Sequence, residues 1–175
     1  THPREEQAMR HAVDLKRAID EVRFGLFLVT AAHNGKDSIQ RSFRVMALSE
    51  KPAPRIGVAL LTDYEISDLI RKSGHLAVSV AGPRHIPQPR PLRDQRPAVA
   101  DEFTAIGAVK TRASVIGAPL IEDCSAYLEC ALEQEVIVQD RSLFICRVLA
   151  CQVDDSIVPP VRVRGRDIDL TPQVR

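Results

Sequence analysis

The stretch "SAYLECALEQEVIVQDRSLFICRVLACQVDD", residues Ser125 to Asp155, restricts the fold more than any other part of the chain. Leu128, Cys130 and Leu132 alternate with Tyr127, Glu129 and Glu133, and the same character returns around Leu143 to Val153. Alternation with a period of two is the mark of a strand with one face against a core. Only Gln139-Asp140 separates the two runs, an interval short enough for an antiparallel hairpin.

The rest of the chain reads the same way, with helical interruptions. "FGLFLVTAAHNGKD" predicts a buried strand from Phe24 to Ala31 that turns at Asn34-Gly35. That dipeptide suits the positive φ angles of a tight hairpin. A returning strand is expected over Ser38 to Ala47, and "RIGVALL", entered through Pro52 and Pro54, is a third. In "YEISDLIRKSG", Ile66, Leu69 and Ile70 share a helical face and Gly74 suits a C-terminal cap. "HLAVSVAG" follows, with Leu76, Val78 and Val80 alternating against small residues as a half-buried strand. Pro83, Pro87, Pro89, Pro91 and Pro97 predict an irregular excursion, with a short helix near Val99 to Phe103. Upstream, Ala8, Ala12, Leu15, Ile19 and Val22 recur at helical spacing, so Arg4 to Val22 reads as an amphipathic helix. Short antiparallel neighbours with a few helices point to a mainly β fold, a small closed or nearly closed barrel.

Composition narrows the function classes. With 175 residues the chain suits one domain, with or without a terminal extension. A net charge of +1 and 4% aromatic residues give neither a general attraction to nucleic acid nor a base-stacking platform. No apolar run approaches the roughly 20 residues that span a bilayer, and the polar N-terminus lacks a signal-peptide pattern. The start at Thr1 rather than Met predicts a chain that was processed, trimmed or cut from something longer. Cys124, Cys130, Cys146 and Cys151 form no C-x-x-C pair and lie in or beside apolar strands. They are expected as buried, reduced thiols of a cytoplasmic protein, the alternative being a disulfide or redox role. The histidines show no metal-ligand spacing. No glycine-rich phosphate loop opens a helix after a strand, and no nucleophile elbow is present.

The order of segments carries the reading further. "FGLFLVTAAHNG", "VMALSEKPAPRIGVAL", "DLIRKSGHLAVSV", "GAPLIEDCSAYLECAL", "SLFICRVLACQV" and "VRGRDIDL" follow one another with family-like spacing from Phe24 to Leu170. This succession resembles the flavin reductase-like family of FMN-binding split β-barrels. The resemblance implies a helical extension over residues 1–22, a barrel domain over 23–170 and a tail over 171–175. It further implies a homodimer binding FMN, or FAD, beside the subunit interface. NADH or NADPH would be the electron donor, and an oxygenase or electron-transfer protein a possible partner.

The same resemblance nominates site residues. The stretch "DSIQRSFRVMALSEKP" stands where the family wraps flavin with hydroxyls and backbone N–H groups. It offers Ser38, Arg41, Ser42, Phe43, Arg44 and Ser49. The family's usual middle threonine and asparagine are absent, so Arg41 or Arg44 would grip the phosphate, the alternative being solvated strand-surface arginines. After the third strand, Asp63, Tyr64 and Ser67 stand at a helix start that could meet phosphate, with simple helix capping as the other reading. Arg71 faces the same choice between ligand and solvated helix face. Asp140-Arg141 occupies the hairpin where many reductases carry Asp-His. Arginine stays cationic, so proton exchange there is lost while phosphate contact is gained as an option. Arg162, Arg164 and Arg166 alternate and share a face if extended, with Arg164 nominated for phosphate contact and a solvated tail as the alternative. His75 is expected to be structural, and His85 could lie over the pocket. No catalytic residue is nominated. The expected function is flavin reduction or electron transfer with NAD(P)H. The competing readings are a non-catalytic flavin carrier, a barrel with an altered ligand, or a domain of a larger electron-transfer protein.

Overall fold

The structure, a computed structural model, describes residues 24–86, 102–111, 115–163 and 166–168. The expected helix over Arg4 to Val22, the prolines from Pro87 to Pro97, and Arg164 lie outside those residues.

The described chain is mostly strand. In order, it runs through β1 (Phe24–Gly25), β2 (Phe27–His33), β3 (Lys36–Ser42), β4 (Val45–Ser49) and β5 (Arg55–Leu61). Helix α1 (Glu65–Ser73), β6 (His75–Ala81) and a 3₁₀ turn over Pro83–His85 come next. Helix α2 (Glu102–Ile106) precedes β7 (Lys110–Thr111) and β8 (Leu120–Ile121). The last third holds β9 (Cys124–Val138), β10 (Arg141–Val153), β11 (Val161–Val163) and β12 (Arg166–Ile168). A seven-stranded antiparallel sheet in the order β3-β2-β6-β9-β10-β5-β4 dominates. It curls around its core as a split barrel whose two edge strands do not pair with each other.

Local chemistry set several elements where the residues promised them. Asn34 and Gly35 take φ of 50° and 78°, closing the β2–β3 hairpin. Gln139, at φ 58°, turns β9 into β10. Helix α1 ends at Gly74, φ 71°, whose N–H donates to the Ile70 carbonyl at 2.8 Å. Register shifts at Ile145/Cys146 and Val148/Ala150 add the twist that lets two such long strands wrap the core.

Other expectations need correction. The strand expected from Phe24 to Ala31 divides at Leu26, because β1 pairs with β11 in a separate small sheet while β2 pairs with β3 and β6. The single returning strand expected over Ser38 to Ala47 is two strands. β3 ends at Ser42 on one edge of the large sheet, and β4 starts at Val45 on the other. Ser42 Oγ accepts the Arg44 N–H at 3.1 Å and donates to the Ala59 carbonyl at 3.4 Å, which turns the chain out of β3. The Arg44 carbonyl then accepts the Ala59 N–H at 2.9 Å and so joins the far edge. β6 is not half-buried: Leu76, Ala77, Val78 and Ser79 are all fully buried. One face meets the core around α1, and the other lies under residues 115–120. The short helix occupies Glu102–Ile106 among the described residues, later than expected. β11 and β12 are antiparallel with Val163 opposite Arg166, so Arg162 and Arg166 do not share one extended strand.

The main core joins Val29, Val58, Leu60, Leu76, Val78 and Phe144 to Ile66, Leu69 and Ile70 of α1. Burial of that helix face, at roughly 1.5–3 kcal/mol per large side chain, outweighs the modest propensity of a nine-residue helix. Cys124, Cys130 and Cys146 are buried free thiols, whereas Cys151, at the outlying end of β10, is exposed. Burial pushes each of the three inner thiols up to about 12. Titration of native protein with a thiol reagent is therefore expected to modify Cys151 rapidly and the other three only on unfolding. Rapid reaction of a second thiol would contradict the packing.

Candidate functional site

Because Phe43 and Arg44 bridge the two edges of the sheet, the barrel wall is thin at that place and an open hollow forms beside it. Its volume is about 430 Å³, within the usual range of small-molecule sites. Phe24 and Gly25 of β1 form one side, Phe43 and Arg44 the bridge, Val45 and Met46 of β4 the other side, and Ala59 of β5 the floor. The lining is mostly apolar, with the exposed Arg44 contributing charge. Phe43 packs partly into a second cluster with Leu26, Leu28 and Ile39, which anchors the bridge.

Register places two of the nominated cations on one sheet face. Ala59 sits opposite Leu143 and Leu61 opposite Arg141, and directly opposed residues point the same way. Ala59 lines the hollow together with Arg44. Arg141 therefore lies on the hollow's side of the sheet, across β5 from Arg44 and about 10 Å away in strand spacing. Its Nε stands 3.9 Å from the Asp140 carboxylate, a long contact that leaves the guanidinium only loosely engaged.

The nominated serines are held inside the fold instead. Ser38 Oγ donates to the Glu102 carboxylate at 2.7 Å, Ser49 Oγ to the Ala53 carbonyl at 3.3 Å, and Ser67 Oγ to the Leu61 carbonyl at 2.7 Å. Ser42 donates to Ala59 as described above. Arg41 gives a guanidinium N–H to the Ile106 carbonyl at the end of α2, 3.2 Å away. Asp63 and Tyr64 are exposed at the start of α1, and Tyr64 occupies the N-cap position without a side-chain cap bond. Neither Asp63 nor Ser67 caps that helix.

Arg71 answers to neither of its expected roles. Its guanidinium forks onto the Glu135 carboxylate (Nε at 3.1 and 3.0 Å, a terminal nitrogen at 2.7 Å). It also donates to the Thr62 carbonyl at 3.2 Å and to Ser142 Oγ at 3.1 Å, and lies 6.0 Å from the Phe144 ring centre. The shared hydrogen bonds hold Arg71 above its ordinary pKa and Glu135 below its own. This network ties α1 to the β9–β10 hairpin that carries Arg141. His75 is structural, its Nδ1 lying 2.9 Å from the Ser73 carbonyl oxygen. His85 does not lie over the hollow. It is buried, with Nδ1 3.9 Å from Cys124 Sγ.

The sequence nominations missed Phe24, Gly25, Val45, Met46 and Ala59. They are apolar, and only the pairing of β4 with β5 and of β1 with β11 gathers them. An apolar slot rimmed by a guanidinium fits the planar, largely apolar ring of a flavin and its phosphate. Arg44 would meet the anion while Phe43, Val45, Met46 and Ala59 cover the ring. Among the described residues, no group of three or more His, Cys, Asp or Glu gathers to hold a metal.

Two outcomes follow from these contacts. Arg71→Ala strands Ser142 and Glu135, so urea unfolding should show a loss of about 1–2 kcal/mol with flavin affinity unchanged. A fall in affinity at unchanged stability would return Arg71 to the list of ligands. For His85, desolvation holds the imidazole below its ordinary value of 6.5. Asp123 opposes that shift, while Arg84 and Arg41 reinforce it. The unfolded chain then binds the proton more readily, so stability present above pH 6.5 should drain away as pH falls below it. His85→Asn should flatten that part of the pH–stability curve, and an unchanged slope would sink the assignment.

Comparison with known proteins agrees with this architecture. Residues 20–166 match the family described as "Flavin reductase like domain". A relative named FMN reductase (NADH) RutF, from Bradyrhizobium diazoefficiens, is 38% identical over 77 residues. That alignment covers 44% of this chain and 41% of the relative, so it spans less than half of the relative's length. Among solved structures, the Streptomyces globisporus NADH:FAD oxidoreductase SgcE6, in complex with NAD and FAD fragments, superposes with a TM-score of 0.76. Identity is 20%, with 95% of this chain and 96% of that one covered. The styrene monooxygenase flavin reductase SMOB of Pseudomonas putida gives a TM-score of 0.70 at 21% identity, covering 92% and 99%. With most of its length matched to the family and a split barrel like those of these solved structures, the chain belongs to the flavin reductase-like family.

Proposed function

We propose that the chain is an NAD(P)H-dependent flavin reductase, acting as a cytoplasmic homodimer and handing reduced flavin to an oxygenase or another electron acceptor. The observation that carries this reading is the hollow at the barrel seam: apolar walls, a guanidinium at the rim, and a second cation on the same sheet face. The flavin, when bound, supplies the ring that takes up a hydride. The protein's part is to seat that ring against Phe43, Val45, Met46 and Ala59, and to keep water from its covered face. Hydride transfer depends chiefly on close, correctly oriented stacking of donor and acceptor. It proceeds without a proton-exchanging histidine at the β9–β10 turn, where Arg141 offers a permanent positive charge for a nucleotide phosphate.

A second copy of the chain supports the same picture. The outer face of β4, β5 and β10 is apolar around the hollow: Met46 is 55% exposed and Leu48 44%, and Leu48 and Leu143 lie over Gly57. Pairing through this face would cover those side chains and close the hollow's open side. Free thiols are in keeping with a reducing compartment. The helices of the described residues include none long and apolar enough to cross a membrane. The styrene monooxygenase reductase among its structural relatives serves an oxygenase by name, which is the ground for that partner class.

Arg141 in place of the usual histidine gives the carrier reading its one specific support, and a single experiment separates the two. Protein mixed anaerobically with FMN, then with NADH or NADPH, should bleach the flavin's visible absorption band. Binding of FMN without bleaching by either dinucleotide would establish a carrier, and no binding of any flavin would remove both readings.

A further inference from the structure

We propose, building on the flavin reading, that this chain takes flavin as a dissociable substrate recognised by its ring, with Arg44 as the residue that selects for the phosphate. The usual hydroxyl grip is already committed elsewhere. Ser38, Ser42, Ser49 and Ser67 each donate to an acceptor inside the fold, and Arg41 is held by the Ile106 carbonyl. Along β4, the side chains over the hollow's rim are those of Val45 and Met46, which offer a phosphate nothing. Arg44 remains: it is exposed, it lines the hollow, and no carboxylate among the described residues pairs with it. Its backbone, not its side chain, holds the seam.

A solvent-exposed ion pair contributes little and is screened by salt. The phosphate therefore adds only a modest factor to a binding constant set by ring burial, and ring burial is common to riboflavin, FMN and FAD. The hollow is open, so the adenylate of FAD can extend outside it. Such a site releases its flavin readily, as a protein that hands reduced flavin onward must.

The test is fluorescence titration of riboflavin, FMN and FAD onto the full chain and onto Arg44→Ala, at low and high salt. In the wild type, FMN should bind about five- to tenfold more tightly than riboflavin, with FAD between or beside them. High salt or Arg44→Ala should bring that ratio to about one while leaving riboflavin unchanged. The inference is overturned if FMN exceeds riboflavin by more than about a hundredfold. It is equally overturned if Arg44→Ala weakens both alike, or if flavin copurifies in equal numbers with the chain. Failure of every flavin to bind would instead remove the functional reading on which the inference stands.

Discussion

Ser42 holds the barrel's seam. By accepting the Arg44 N–H and donating to the Ala59 carbonyl, its hydroxyl diverts the chain from one edge of a seven-stranded sheet to the other within two residues. Had β3 run straight on, Val45 to Ser49 would have stayed beside β2, and β5 would have been left as a bare edge. The diversion lets β4 pair with β5 and lifts Phe43 and Arg44 into the gap between sheet edges. The hollow, its apolar walls and its cation all result from that one short crossing.

The far side of the barrel is closed by polar rather than apolar means. Residues 115–121 lie over β6 and are pinned there by side chains that the core would otherwise reject. The Glu129 carboxylate, 3% exposed, accepts the N–H groups of Val115 and Ile116 at 2.7 and 2.8 Å. Thr30 donates to the Pro119 carbonyl at 2.5 Å, and Ser79 Oγ accepts the Ile121 N–H at 3.3 Å. Each buried polar atom so named finds a partner across the sheet, which is the condition for burying it at all. This cover explains why β6 shows no exposed face.

Features settled by neighbours in sequence were legible. Asn34-Gly35 and Gln139-Asp140 dictate their turns through local backbone preference, and Gly74 ends α1 for the same reason. The family resemblance, resting on the succession of segments, also pointed to the split barrel. Features settled at a distance were not legible. The division of Ser38–Ala47 depends on Ala59, seventeen positions beyond Ser42 in the chain. Strand alternation set Glu129 facing outward, and only the covering segment makes it interior. Arg71 looked like a free cation because Glu135 lies 64 positions away. Most of the site followed this second pattern: apolar lining residues carry no chemical signature of their own, and the hydroxyls that did carry one were needed by the fold.

The Arg71 network has a bearing on how Arg141 can act. Through Glu135, Ser142 and Thr62, one guanidinium welds the turn-proximal halves of β9 and β10 to helix α1, so the three move together or not at all. A cation mounted on such stiff ground has surrendered its backbone freedom at folding instead of at the moment of encounter. An incoming anion consequently meets a fixed post rather than a loop awaiting organisation, and its arrival costs correspondingly little order.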